Sequence, residues 1–309
     1  MTATRKRPLK IGIQLPEIEY EARWSDLRKM AIRAEELGFD SLWVGDHLLY
    51  RNPGDVSKGP WEAWSLMSAL AAVTEKVEIG PLVACTSFHN PAMIAKKAAT
   101  IDEISNGRLI LGLGAGWNET EYSTYGYPYD NRVSRFEEAF TIIRTLLSEG
   151  RADFHGTYYD VTDCELLPMG PRAGGPPLML GSEGPRMMKI ALPYVQSWNA
   201  WYAWFGNDPA KLAPLLAKID QACVEVGRDP KTLEKTCAAL VSMTGSHGRL
   251  AGDPTDRGAT ALSGTPEELA AVIWQYSDAG IGHLQVILDP NTLEAIEEFA
   301  PVLEILDRG

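Results

Sequence analysis

Gly38-Phe39-Asp40-Ser41-Leu42-Trp43-Val44-Gly45-Asp46-His47 is a short apolar run closed by a carboxylate and an imidazole. Strands covered on both faces are apolar along their length, and in a parallel barrel the groups that follow each strand lie at one mouth. The stretch therefore reads as a second barrel strand that delivers Asp46 and His47 to that mouth. A helix-capping Asp beside a solvated His is the bland alternative, and these residues alone do not separate the two.

Upstream, residues 9–15 form a β-branched-rich run closed by Pro16, a first strand. A helix follows from about Ser25 as N-cap, with Leu27, Met30, Ala31, Ala34 and Leu37 at helical spacing and Gly38 as its C-cap. Downstream the unit repeats, with a helix over 62–74, a strand over 77–83 and a helix over 91–105. Asn106-Gly107 is a turn, and a fourth strand covers 108–112. After Gly112 the rhythm breaks into an aromatic segment at 122–129, a helix over 134–147, a hairpin on Gly156 and a Pro/Gly connector at 168–177. Residues 178–181 restore the barrel as strand five, followed by strand six at 195–200, strand seven at 236–243 and strand eight at 283–288. Asp208-Pro209 caps a helix to 226, Thr265-Pro266-Glu267-Glu268 opens another, and a final helix starts at Thr292.

Eight strand-helix steps predict an α/β fold, a (β/α)8 TIM barrel with insertions after strands 4 and 7, as one domain over 1–309. The insertion is 113–132, the hairpin and connector 150–177, and the loop 244–264 reads as a lid that is mobile without ligand.

A chain of 309 residues with 45% hydrophobic content has material for one large core. Its net charge of -12 opposes nucleic-acid or membrane-surface partners, which need a basic field. No apolar run reaches the roughly 20 residues of a membrane span, and no targeting segment is visible. Cys85, Cys164, Cys223 and Cys237 lack C-x-x-C spacing, so they read as reduced cytoplasmic thiols rather than zinc ligands or disulfides. No metal-ligand cluster and no G-x-S-x-G is present.

The strand ends bring together Asp46 and His47, then 85–89, 114–118 and 181–184. Gly181, Ser182, Glu183 and Gly184 precede a helix start, where approachable backbone N–H groups can receive an anion. Gly112-x-Gly114-x-Gly116 is a weak dinucleotide fingerprint, because no Rossmann context follows it. Trp198, Trp201, Tyr202, Trp204 and Phe205 either line an apolar cleft or form outer packing.

The run 38–47, Ile79-Gly80-Pro81-Leu82-Val83, Phe88-His89-Asn90-Pro91-Ala92, Asn106-Gly107-Arg108 through Trp117, and Trp198-Asn199 together resemble the luciferase-like monooxygenase superfamily. The sequence looks most like its coenzyme F420-dependent oxidoreductases. That resemblance implies a deazaflavin, or FMN as the alternative, lying across the strand C-termini. It implies that Asp46 binds the ring's polar edge, that Leu82 and Val83 form a bulge against its face, and that Cys85 and Asn118 contact the cofactor. Gly181, Ser182, Glu183 and Gly184 would receive the phosphate, and His47 would move the proton in hydride transfer. Trp43, Trp117, Trp198 and Trp201 would wall the substrate cleft.

Relatives that oxidise a sugar phosphate carry a glutamate at the place of Ala115, so that activity is not implied here. His89 stands where many relatives carry an arginine. A homodimer acting on a small-molecule substrate is the family expectation, and a barrel relative that has lost its cofactor is a third reading.

Overall fold

The computed structural model describes residues 7–51, 56–249 and 259–309. Its first unit is β1 (Lys10–Gln14), α1 (Trp24–Leu37) and β2 (Ser41–Val44). Helix α1 buries Leu27, Met30, Ala31 and Ala34 as one stripe and ends at Gly38, whose φ of 93° suits a residue without a Cβ. Its N-cap is Arg23 rather than Ser25, because Ser25 lies in the first turn with its hydroxyl on Asp26.

Helix α2 (Ala63–Val73) starts under Glu62, which accepts from the N–H groups of Trp64 and Ser65. The expected third strand is two pieces, β3 (Glu78–Pro81) and β4 (Ala84–Cys85), separated at a cis Leu82–Val83 peptide. Helix α3 (Pro91–Ile104) is capped by Asn90 with Pro91 in its first turn. Strand β5 spans Leu111–Gly114, later than the expected 108–112. The Arg108 guanidinium is held by the carbonyls of Ala71, Thr74 and Val77, and Leu109 makes only a single bridge, to Ile79. Regular pairing with the next strand therefore begins at Leu111.

The rest of the chain supplies α4 (Glu119–Tyr125), α5 (Arg132–Glu149), an antiparallel hairpin of β6 (Arg151–His155) and β7 (Asp160–Glu165), then β8 (Leu178–Leu180) and α6 (Pro185–Ala191). Strand β9 (Ser197–Ala200), α7 (Leu212–Glu225), β10 (Glu234–Ser242), α8 (Pro266–Asp278), β11 (His283–Asp289) and α9 (Leu293–Arg308) complete it. Asp208 caps a 3-10 turn over Pro209–Lys211 that leads into α7, and Thr265 forms a capping box with Glu268 at α8.

The parallel sheet runs β3-β2-β1-β11-β10-β9-β8-β5-β4. Because β3 and β4 are consecutive pieces of one strand, this order returns to its start, and nine segments make the eight strands of a barrel. The helices cover the outside and bury residues such as Leu70, Ile94, Ile143 and Phe299 against it.

Inside, Trp43, Ile110 and Met179 fill the lumen with Leu82 and Val83 packed on them. Gly12 and Gly80 make the room: a Cβ on Gly12 would stand 2.6 Å from Trp43 Nε1, and one on Gly80 2.7 Å from Trp43 Cζ3. No helix among the described residues is long and apolar enough to cross a membrane. Of the expected lid, residues 250–258 lie outside the described residues. Its far end is tied in by Leu262, which bridges to Val241.

Candidate functional site

At the C-terminal ends of the strands a cavity of about 330 Å3 opens, within the range of small-molecule sites. Its floor is the Leu82–Val83 bulge. Three strand glycines crowd that bulge: a Cβ on Gly114 would meet Val83 Cγ2 at 2.8 Å, and one on Gly181 both Val83 methyls at 2.8 Å. On Gly112 a Cβ would lie 2.9 Å from Val83 Cγ1. The missing side chains leave room for the Val83 methyls, and Leu82 and Val83 give the cavity an apolar floor.

One wall is built from β2 and its continuation. The carboxylate of Asp46 is buried and accepts from the Cys85 backbone N–H at 2.8 Å. His89 Nε2 lies 3.1 Å from Asp46 Oδ2 and 3.0 Å from Trp64 Nε1, which places the imidazole directly behind the carboxylate. Cys85 lines the cavity, but burial pushes its thiol up to about 12, so it is a packing and hydrogen-bonding group, not a nucleophile.

His47 stands between two carboxylates. Its Nδ1 is 3.0 Å from Glu121 Oε2 on α4, and its Nε2 is 3.9 Å from Glu17 Oε1 after β1. Glu121 also accepts from the backbone N–H groups of Leu48 and Leu49, at 2.5 and 3.2 Å. The imidazole packs on Tyr50 and Trp117 with ring centres 4.8 and 5.6 Å away. Burial works against a charge on His47, but Glu17, Glu121 and Asp46 outweigh it and push its pKa up to about 9.

Beyond His47, Glu17 takes hydrogen bonds from Tyr50 Oη at 2.7 Å and Gln14 Nε2 at 3.1 Å. Arg249, whose side chain is only 3% exposed, ion-pairs with Glu17 at 3.3 Å and Glu19 at 3.2 Å. Burial opposes its charge, yet Glu19, Tyr202 and Glu17 hold its pKa above the usual guanidinium value. Two buried polar atoms of cavity-lining residues, Gln14 Oε1 and Trp201 Nε1, have no hydrogen-bond partner among the described residues. Each is the kind of group a ligand satisfies.

Of the residues singled out from sequence, Asp46, His47, Leu82, Val83, Cys85, Trp117, Gly181, Ser182, Glu183, Gly184 and Trp201 line this one cavity. Three do not. Trp43 is fully buried beneath the floor, where it donates to Ser41 Oγ at 2.7 Å. Trp198 is equally buried and donates to the Ser182 carbonyl at 2.8 Å, so it props the 181–184 turn from outside the cavity. Asn118 caps α4 through Thr120 N–H and reaches the Leu49 carbonyl with its amide, beside but not in the cavity lining. Of the aromatic cluster near 201, Trp201 and Trp204 face the cavity while Tyr202 and Phe205 belong to the core.

Sequence reasoning missed Gln14, Glu17, Tyr50, Glu121 and Arg249, all of which line the cavity. Glu17 was findable, since it follows β1 as Asp46 follows β2. Ala115 lines the cavity and supplies no acid; the carboxylates beside His47 are Glu17 and Glu121. Among the described residues no group of three or more His, Cys, Asp or Glu could hold a metal ion.

Comparison with known proteins gives the chain's family and relatives. The luciferase-like monooxygenase family model matches residues 10–251. Over 181 residues the chain is 39% identical to the F420-dependent glucose-6-phosphate dehydrogenase of Amycolatopsis mediterranei (strain U-32), covering 54% of this chain and 53% of the relative. Over 220 residues it is 32% identical to the pyrimidine monooxygenase RutA of Rhizobium rhizogenes (strain K84 / ATCC BAA-868), covering 68% and 59%. The chain thus spans little more than half the length of these two relatives. An F420-dependent secondary alcohol dehydrogenase in complex with an F420-acetone adduct superposes with a TM-score of 0.80 over 96% of this chain and 99% of that one, at 24% identity, which shows the same fold.

Proposed function

The chain belongs to the luciferase-like monooxygenase family, and on that premise we propose that it is an oxidoreductase using coenzyme F420 to move a hydride to or from a small organic substrate. The observation that carries this reading is the apolar ledge at Leu82–Val83, seated against Gly112, Gly114 and Gly181 and sharing one cavity with Asp46 and His47. Leu82 and Val83 would meet the face of a flat ring there, and Asp46 its polar edge. When bound, the deazaflavin supplies the hydride chemistry, and the protein supplies orientation, water exclusion and the proton.

In this reading Leu82, Val83, Asp46 and Cys85 hold the ring. The backbone of Gly181, Ser182, Glu183 and Gly184 receives the phosphate, and Trp198 supports that turn through the Ser182 carbonyl. Trp117, Tyr50, Trp201 and Trp204 make the substrate end apolar, which keeps water away from the reacting atoms. His47, with Nδ1 engaged by Glu121 and Nε2 on the cavity side, is the group that exchanges a proton with the substrate.

FMN-dependent oxygenation on the same barrel is the second reading, and likeness to the pyrimidine monooxygenases favours it. The chain is further read as a cytoplasmic homodimer, which sedimentation of the purified protein tests.

Thermal melts with each cofactor test the reading, because a ligand that binds only the native state raises stability by about 2.7 kcal/mol at a hundredfold its Kd. A rise with F420 is expected. A rise with FMN alone supports the second reading, and no rise with either supports a barrel that has lost its cofactor.

A further inference from the structure

The imidazole of His47 is gripped on both sides. Glu121 lies 3.0 Å from Nδ1, and Glu17 lies 3.9 Å from Nε2, beyond hydrogen-bond reach. Nε2 has no hydrogen-bond partner among the described residues, so it is the nitrogen left for a ligand in the cavity. Two carboxylates beside one ring favour its charged form.

The other groups around the ring agree in sign. Asp46 adds negative charge from the end of β2, and Tyr50 on the following loop is a neutral phenol, its pKa raised by burial and by Glu17. The nearby cation, Arg249, is spent on Glu17 and Glu19. Glu121 reaches this position because α4 presents it to residues 47–49, where Leu48 and Leu49 N–H groups fix the carboxylate.

We infer that Glu121 is a positioning residue that turns His47 Nε2 toward the cavity and holds the ring as an imidazolium, so that the site gives a proton to its substrate rather than taking one. The reaction class is then reduction of a C=O or C=N group whose heteroatom accepts that proton. This rests on the hydride-transfer reading above and deepens it.

The balance is simple. A two-electron reduced deazaflavin provides a hydride, which forms the new C–H bond. The π pair of the C=O or C=N bond moves onto the heteroatom, which takes the Nε2 proton of His47. The oxidised cofactor's remaining proton would go to solvent, and solvent would return one to His47.

A neutral imidazole would be needed for the opposite direction, to accept the proton of an alcohol or amine. With a pKa near 9, only about one ring in a hundred is neutral at pH 7.

The test is imidazole 15N NMR of the cofactor-free protein across pH 6–10, with the His47 signals assigned by their loss in His47→Gln. In wild type both His47 nitrogens are expected to show imidazolium shifts at pH 7.5. In Glu121→Gln the titration midpoint is expected to fall by one pH unit or more, and in Glu17→Gln to fall as well. The second variant decides the matter if Glu121→Gln does not fold. A neutral His47 at pH 7.5 in wild type, or a midpoint unchanged in a folded variant, overturns the inference. F420 binding, followed separately by cofactor fluorescence, reports on the hydride-transfer reading, so failure of one is distinguishable from failure of the other.

Discussion

Glu121 and His47 are 74 positions apart in sequence and 3.0 Å apart in space, a carboxylate on α4 against the ring nitrogen that follows β2. The contact uses one ring nitrogen and leaves the other at the cavity, the arrangement that the proposed proton transfer needs. Replacing His47 by Gln is therefore expected to lower turnover by about 10²–10⁴-fold, the usual contribution of a general acid or base. F420 affinity should stay within a few-fold, since the proposed binding mode assigns the ring to Asp46 and the bulge. Steady-state rates with fluorescence titration check this, and unchanged turnover removes His47 from the mechanism.

The glycines around Val83 give a steric prediction. Gly181→Ala would place a methyl 2.8 Å from both Val83 methyls, so the bulge must shift. A loss of about 1–3 kcal/mol in urea stability is expected, as for other overpacked cores, together with weaker cofactor binding. Wild-type binding in Gly181→Ala would mean that the ledge does not carry the ring.

Arg249 joins Glu17 and Glu19 with side chains only 3%, 4% and 11% exposed. Arg249→Met leaves two carboxylates without their cation, which costs about 3–5 kcal/mol when a buried pair is broken from one side. Adding Glu19→Gln to Arg249→Met should recover part of that loss. Denaturant midpoints of the four proteins in the cycle measure it, and additive losses would show that the pair is not coupled.

His283 makes a pH prediction of the opposite sign to His47. Ser41 Oγ lies 2.7 Å from His283 Nε2 inside the lumen and accepts from Trp43, and a neutral imidazole pairs with that hydroxyl in either tautomer. Burial, helped by Lys10, lowers the His283 pKa to about 3. Below about pH 6.5 the unfolded chain binds a proton that the folded chain refuses, so stability falls as pH drops toward 3, by at most about 1.4 kcal/mol per pH unit from this group. The difference in stability between wild type and His283→Gln should therefore change with pH over that window; a constant difference would mean that His283 is charged in the fold.

The barrel is legible in the chain because strands covered on both faces leave continuous apolar runs, and turn residues such as Gly38 and Asn106-Gly107 mark their limits. The site is legible where it follows a strand directly, as Asp46, His47 and the 181–184 turn do. It is hidden where a group arrives from a distant segment. Glu121 sits on a short helix with little apolar periodicity, and its meeting with His47 depends on how α4 folds back across the mouth. Trp43 illustrates the converse: it sits next to the site in sequence, but space left by Gly12 and Gly80 on neighbouring strands draws its ring into the lumen.

The central claim is that the ledge beside Asp46 and His47 binds a deazaflavin. Titrating the purified protein with F420 and, separately, with FMN while following ring absorbance tests it most directly. The account predicts a saturable shift with F420, weakened in Gly181→Ala and largely kept in His47→Gln. Saturable binding of FMN with none of F420 would contradict it.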